Sequence, residues 1–103
     1  MYKICVYVPE ISVENVKQAL FEAGAGRMGN YDSCCWQTHG TGQFRPLENS
    51  NPAIGSLNEI EQVSEIKIEL VCEDDLVEVA IQALRESHPY EEPAFDVWKL
   101  AEF

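Results

Sequence analysis

The chain has 103 residues, 46% of them hydrophobic and 24% charged, with a formal net charge of -11 at pH 7. That length holds one domain with one modest core, and no apolar run approaches the roughly 20 residues of a membrane-spanning helix. A chain this acidic, without a stripe of Lys or Arg, is repelled by phosphate backbones, which argues against nucleic acid as a partner; its surplus carboxylates serve solubility or offer a surface to cations.

Residues 3–8 form an apolar, β-prone run that predicts a central strand ended by Pro9. One lysine followed by so short a run does not make a signal peptide, which gives the expectation of a cytoplasmic protein. Ser12 offers an N-cap with Glu14 in the first turn, and Val13, Val16, Leu20 and Ala23 recur at helical spacing. The spacing predicts a helix over 12–24 that Gly24 stops. The block Gly24-Ala25-Gly26-Arg27-Met28-Gly29 matches G-x-G-x-x-G, yet it follows a helix and enters a strand. A pyrophosphate cradle needs the reverse order, so these glycines read as a helix stop and a tight turn.

Residues 34–39 read as a second strand, with Cys34, Trp36 and Thr38 on one face and Cys35, Gln37 and His39 on the other. The polar stretch 40–64, with Pro46, Pro52 and three glycines, reads as a long connection, functional or partly ordered as extra hairpin. Residues 64–72 give the clearest strand: Ile66, Ile68 and Leu70 alternate with Glu65, Lys67 and Glu69, which mark a partly solvated face. Asp75 and Glu78 have capping-box spacing, and Leu76, Val79, Ala80, Ala83 and Leu84 predict a second helix to about Ser87, ended by Pro89. Residues 94–100 supply the last strand.

The order β-α-β-β-α-β predicts an α+β fold, a ferredoxin-like sandwich with both helices on one face of a four-stranded antiparallel sheet. The other face is left bare, and Cys35 with apolar neighbours in strands one and four is expected to want cover from a partner or a second copy. The four cysteines, Cys5, Cys34, Cys35 and Cys72, contain no C-x-x-C, and the adjacent pair points to opposite faces, so reduced thiols are expected.

Two segments carry candidate chemistry. In Thr38-His39-Gly40-Thr41-Gly42 a histidine near a strand end stands beside glycines that admit close approach of a ligand or metal, and Arg45 beyond it meets either an anionic ligand or Glu48. In His88-Pro89-Tyr90-Glu91-Glu92-Pro93 two prolines fix a rigid turn. That turn either presents His88, Tyr90 and Glu91 to a ligand or is structural, with His88 ending the helix and Glu91 paired with a base. His39, His88 and Glu91 or Glu92 are candidate ligands for a divalent ion such as copper, zinc or nickel. No nucleophile stands in a recognisable spacing with a base, so catalysis is not expected; the enzymatic alternative is a metal-assisted hydrolase using His39 and Glu91.

Gly24-Ala-Gly26, Gly29-Asn30-Tyr31, Cys34, Thr38-x-Gly40-Thr41-Gly42-x-Phe44-x-Pro46, Asn51-Pro52, Gly55 and His88-Pro89-Tyr90-Glu91-Glu92 together resemble the PII/CutA-like insert domain of the Ngg-interacting-factor-three family, YqfO type. The last block is also similar to one in CutA divalent-ion tolerance proteins, whose ferredoxin-like subunits form trimers. The resemblance implies the same fold, a homo-oligomer with a trimer favoured, and small ligands or metal ions held in clefts between subunits. The positions it carries over are Thr38, Gly40, Gly42, His88, Tyr90 and Glu91. Long members, often labelled homologues of a type 2 GTP cyclohydrolase, carry a dinuclear metal centre in two further domains. This sequence matches the insert alone, so the expectation is a stand-alone binding module that is not an enzyme and that acts through its assembly, on a ligand or on a protein partner.

Overall fold

A computed structural model describes residues 1–103. Strand β1 (Tyr2–Pro9) leads through a single 3-10 turn at Glu10–Ser12 into helix α1 (Val13–Glu22). Strands β2 (Trp36–Phe44) and β3 (Glu61–Cys72) follow, then helix α2 (Val77–Ser87) and strand β4 (Phe95–Lys99). The sheet runs in the order β2-β3-β1-β4 with every neighbouring pair antiparallel, the ferredoxin-like arrangement that the sequence predicts.

The period-2 pattern sets which face is buried. Ile4, Val6 and Val8 of β1 and Ile66, Ile68, Leu70 and Cys72 of β3 turn to the helices, where Val13, Val16 and Leu20 of α1 and Ala80 and Leu84 of α2 meet them. Helix α1 ends as Gly24 allows: with φ at +101°, Gly24 lets the Ala25 amide reach the Leu20 carbonyl and its own amide reach that of Phe21.

Several local expectations change. Neither helix has a side-chain cap bond; Ser12 stands at the N-cap of α1 without making one, and α2 starts after Leu76, not at Asp75. Cys34 and Cys35 precede β2, and Cys35 packs on the helix-side core, so it does not call for cover on the bare face. Residues 40–44, read as the start of a loop, continue β2, and β3 begins at Glu61. Beyond the end of β1, where Pro9 pairs with Glu65, the two strands run on as a two-stranded arm from Thr41–Ser64 to Phe44–Glu61. The arm stretches the molecule to 46 × 24 × 24 Å.

The bare face carries Trp36, Thr38, Gly40, Gly42 and Phe44 of β2, Glu65, Lys67 and Glu69 of β3, Cys5 and Tyr7 of β1, and Asp96 and Trp98 of β4. Lys67 and Glu69 pair at 2.7 Å, but Glu65 is buried at 9% exposure, contrary to its reading as part of a solvated row. All four cysteines are free, and burial pushes the thiols of Cys5 and Cys72 up. Where β4 leaves the sheet, the Leu100 amide donates to the Met1 carbonyl at 3.0 Å, so the first and last strands begin and end side by side. No helix is long and apolar enough to cross a membrane.

Candidate functional site

The turn after α2 is built around His88, which is buried. The Tyr90 amide donates to its Nδ1 at 3.1 Å, so Nδ1 carries no proton. Nε2 therefore holds the proton and donates it to the Tyr7 carbonyl at 2.8 Å. Burial holds the imidazole below its ordinary pKa, in keeping with a neutral ring. Both nitrogens are committed to the backbone. Of the two readings of this turn, His88 follows the structural one: it is a pin between the turn and β1 and not a metal ligand.

Tyr90, placed by that pin, lies under the arm. Its hydroxyl donates to Glu65 Oε2 at 2.9 Å, and its ring meets Phe44 edge-on with centroids 5.7 Å apart. Burial, then the carboxylate partner, pushes the phenol up, which keeps it a donor. Gly42 makes the contact possible: a Cβ there would overlap the Glu65 carboxylate, which lies flat across β2 on its way to Tyr90. Gly42 therefore serves this locked pair and not a ligand directly. Gly40 has open space where a Cβ would stand, and Thr38 accepts from Trp36 Nε1 at 3.0 Å on the bare face.

Against this pair the chain from Phe44 onward folds back over the turn and encloses a cleft of about 840 Å³, lined by residues 44–50, 52–54, 90–92 and 94. Pro46 anchors the loop, accepting at its carbonyl from the Asn58 amide at 2.6 Å. Glu91 closes the cleft's other wall by accepting the Asn51 amide at 3.2 Å. Arg45, Tyr90 and Glu91, singled out by sequence, thus meet in one place with Glu92. Arg45 does not pair with Glu48 or any other carboxylate. Thr38, His39, Gly40, Gly42 and His88 are not among the lining residues.

His39 stands 64% exposed on the helix side of β2, 3.5 Å from Glu10. Strand β3 runs between it and β1, to which His88 is pinned, so the two histidines do not converge. No group of three His, Cys, Asp or Glu side chains is placed to hold a metal ion. The donor set expected for copper, zinc or nickel does not fit. Sequence reasoning had Phe44 and Pro46 only as letters of the resemblance and missed Leu47, Ile54 and Glu65 as site residues; the alternation in β3 marked Glu65 only as exposed.

No family model matches the chain. Among solved structures, Pyrococcus horikoshii CutA superposes with a TM-score of 0.71 at 20% identity, covering 100% of this chain and 87% of that one. The class is therefore a CutA-like ferredoxin fold. A Bacillus cereus protein related to NIF3 superposes with a TM-score of 0.83 at 39% identity, covering 98% of this chain and 26% of that one. GTP cyclohydrolase 1 type 2 homologs of Halalkalibacterium halodurans and Mycobacterium tuberculosis are 44% identical over 101 residues and 45% over 98. Those matches cover 98% and 95% of this chain but 27% and 26% of the relatives, so the chain spans about a quarter of their length. The resemblance carried by the glycine-rich and His-Pro-Tyr-Glu blocks is one of descent: the chain is a homologue of the quarter of these NIF3-family proteins that it matches.

Proposed function

We propose that the chain is a PII/CutA-like binding module that holds a small ligand in the cleft between residues 44–54 and 90–94, works as a homo-oligomer, and catalyses no reaction. The observation that carries this reading is the cleft itself. Its volume of about 840 Å³ is in the usual range for small-molecule sites, and its lining mixes apolar residues such as Phe44, Leu47 and Ile54 with the charged Arg45, Glu48, Glu91 and Glu92. Phe44, at the end of the arm, forms one of its walls, and a neighbouring subunit packed along the arm would complete it. Support for assembly comes from the bare face, where Trp36 and Trp98 stand 70% and 49% exposed, and from the unpaired outer edges of β2 and β4. The trimer is the form we favour, in the cytoplasm, where four free thiols stay reduced.

Sedimentation velocity across a wide concentration range tests the assembly, and a monomer at every concentration overturns it. A metal role draws on structural neighbours from Ehrlichia chaffeensis and Archaeoglobus fulgidus, named divalent ion and divalent cation tolerance proteins; the residues here do not favour it. Zinc-loaded protein that hydrolyses GTP or a phosphoester overturns the non-catalytic part. The exposed Trp36 and Trp98 favour a second reading, in which the assembly regulates a protein partner without a ligand. Affinity capture that returns no specific partner counts against that reading.

A further inference from the structure

We infer that the ligand of this cleft is a small zwitterion with an apolar body, of the chemical class of an amino acid, with its carboxylate on Arg45 and its ammonium on Glu91 and Glu92. The inference rests on the cleft being the ligand site and goes further by naming what it recognises.

Charge decides the class. The chain has 18 Asp and Glu against 7 Lys and Arg, so cations are the scarcer charge. Arg45, like Arg27 and Arg85, makes no salt bridge; it differs from them in sharing a cleft with Glu48, Glu91 and Glu92, none of which has a cationic partner. Both signs are therefore presented unpaired on one concave surface. Glu91 is held in place because Oε1 accepts the Asn51 amide, which leaves Oε2 for a ligand. A nucleotide or other polyanion meets one guanidinium and three carboxylates inside the field of a chain of charge -11, so it is repelled. A simple cation leaves Arg45 unmatched. A zwitterion satisfies both sets.

The walls set the rest of the molecule. Phe44, Pro46, Leu47, Pro52 and Ile54 give an apolar lining against which an aliphatic or aromatic group is dehydrated. The edge-on contact of Phe44 with Tyr90, itself tied to Glu65, means that this wall is preformed and little ordering is lost on binding.

The test is backbone-amide NMR of the isotopically labelled protein titrated with four probes: L-phenylalanine, phenethylamine, hydrocinnamate and AMP. Phenylalanine is expected to shift amides of residues 44–54 and 90–94. It should bind about fivefold tighter than phenethylamine or hydrocinnamate, which is the gain from one more solvent-accessible ion pair. Arg45→Ala should bring phenylalanine down to the level of phenethylamine. Glu91→Gln with Glu92→Gln should bring it to that of hydrocinnamate, with the acceptor for the Asn51 amide kept. AMP or either single-charge probe binding the cleft as tightly as phenylalanine overturns the inference and leaves the cleft as a ligand site. No shift at those residues with any probe overturns both.

Discussion

Gly42→Ala is the sharpest probe of how the cleft wall is held. The methyl group has no backbone objection to meet, since φ at Gly42 is not in the left-handed region, but it takes the space of the Glu65 carboxylate. Glu65 is a flexible side chain and can swing aside; what it gives up is the hydrogen bond from Tyr90. A bond from a hydroxyl to a charged, largely buried acceptor contributes about 1.5–3 kcal/mol, and replacing glycine within a strand returns roughly 0.5–1 kcal/mol. The net loss expected is about 1–2 kcal/mol, or roughly 4–8 °C in Tm per kcal/mol for a domain of this size. Tyr90→Phe removes the same bond from the other side. In urea unfolding followed by circular dichroism, the double variant should therefore lie close to Tyr90→Phe alone, with a coupling of about 1 kcal/mol or more. Costs that add to within about 0.3 kcal/mol refute the argument, because Gly42 would then be guarding something other than the Glu65–Tyr90 bond.

Two further outcomes follow from the same geometry. His88 is neutral when folded, with its pKa held below the ordinary 6.5 by burial; the unfolded chain takes up the proton first, so the stability present above about pH 6.5 is lost as pH falls through that value towards the lowered one. Imidazole NMR should find the Nε2–H tautomer and a midpoint below 6.5, and a midpoint at or above 6.5 refutes the pin. Gly26→Ala, at φ +77°, places its Cβ 2.7 Å from the Cys34 carbonyl and 2.9 Å from the Phe21 ring, whereas Gly29→Ala at φ +57° meets nothing within 4 Å. Left-handed strain alone costs about 1–2 kcal/mol, so urea midpoints should show Gly26→Ala clearly the worse; equal costs refute the crowding.

The strands and helices were legible because their side chains repeat with the period of their own backbone. Ile66, Ile68 and Leu70, and Val13, Val16 and Leu20, need no distant information to declare a face. Glu65 follows the same alternation as Lys67 and Glu69, yet it is buried, because a tyrosine 25 residues away and a missing Cβ on the next strand decide its surroundings. The extension of β2 through Gly40 and Gly42 was hidden for a related reason. Glycine has little strand preference of its own, and the pairing with Glu65 and Val63 supplies the order. His88 stays open between ligand and structural residue in the sequence because its acceptor is the Tyr7 carbonyl, 81 residues earlier, which no spacing can reveal. The capping signals overstated the bonding: Ser12 stands at the N-cap of α1 but its side chain makes no cap bond, and α2 takes Leu76, one residue after Asp75, as its N-cap. In the cleft, Arg45, Tyr90 and Glu91 stood out by type, while the loop that gathers them has no period to read.

The hydrogen bond between Leu100 and Met1 makes this domain a cassette. Entry and exit share one doorway at the edge between β1 and β4, so a host protein can carry the whole unit in a single surface loop without stretching either flank. By the same geometry a short bridge across that doorway closes the chain into a ring. The ring can then be reopened at the Gly29-Asn30 tip, where Met28 and Tyr31 exchange both of their backbone bonds, giving a permuted chain with the same sheet and the same cleft.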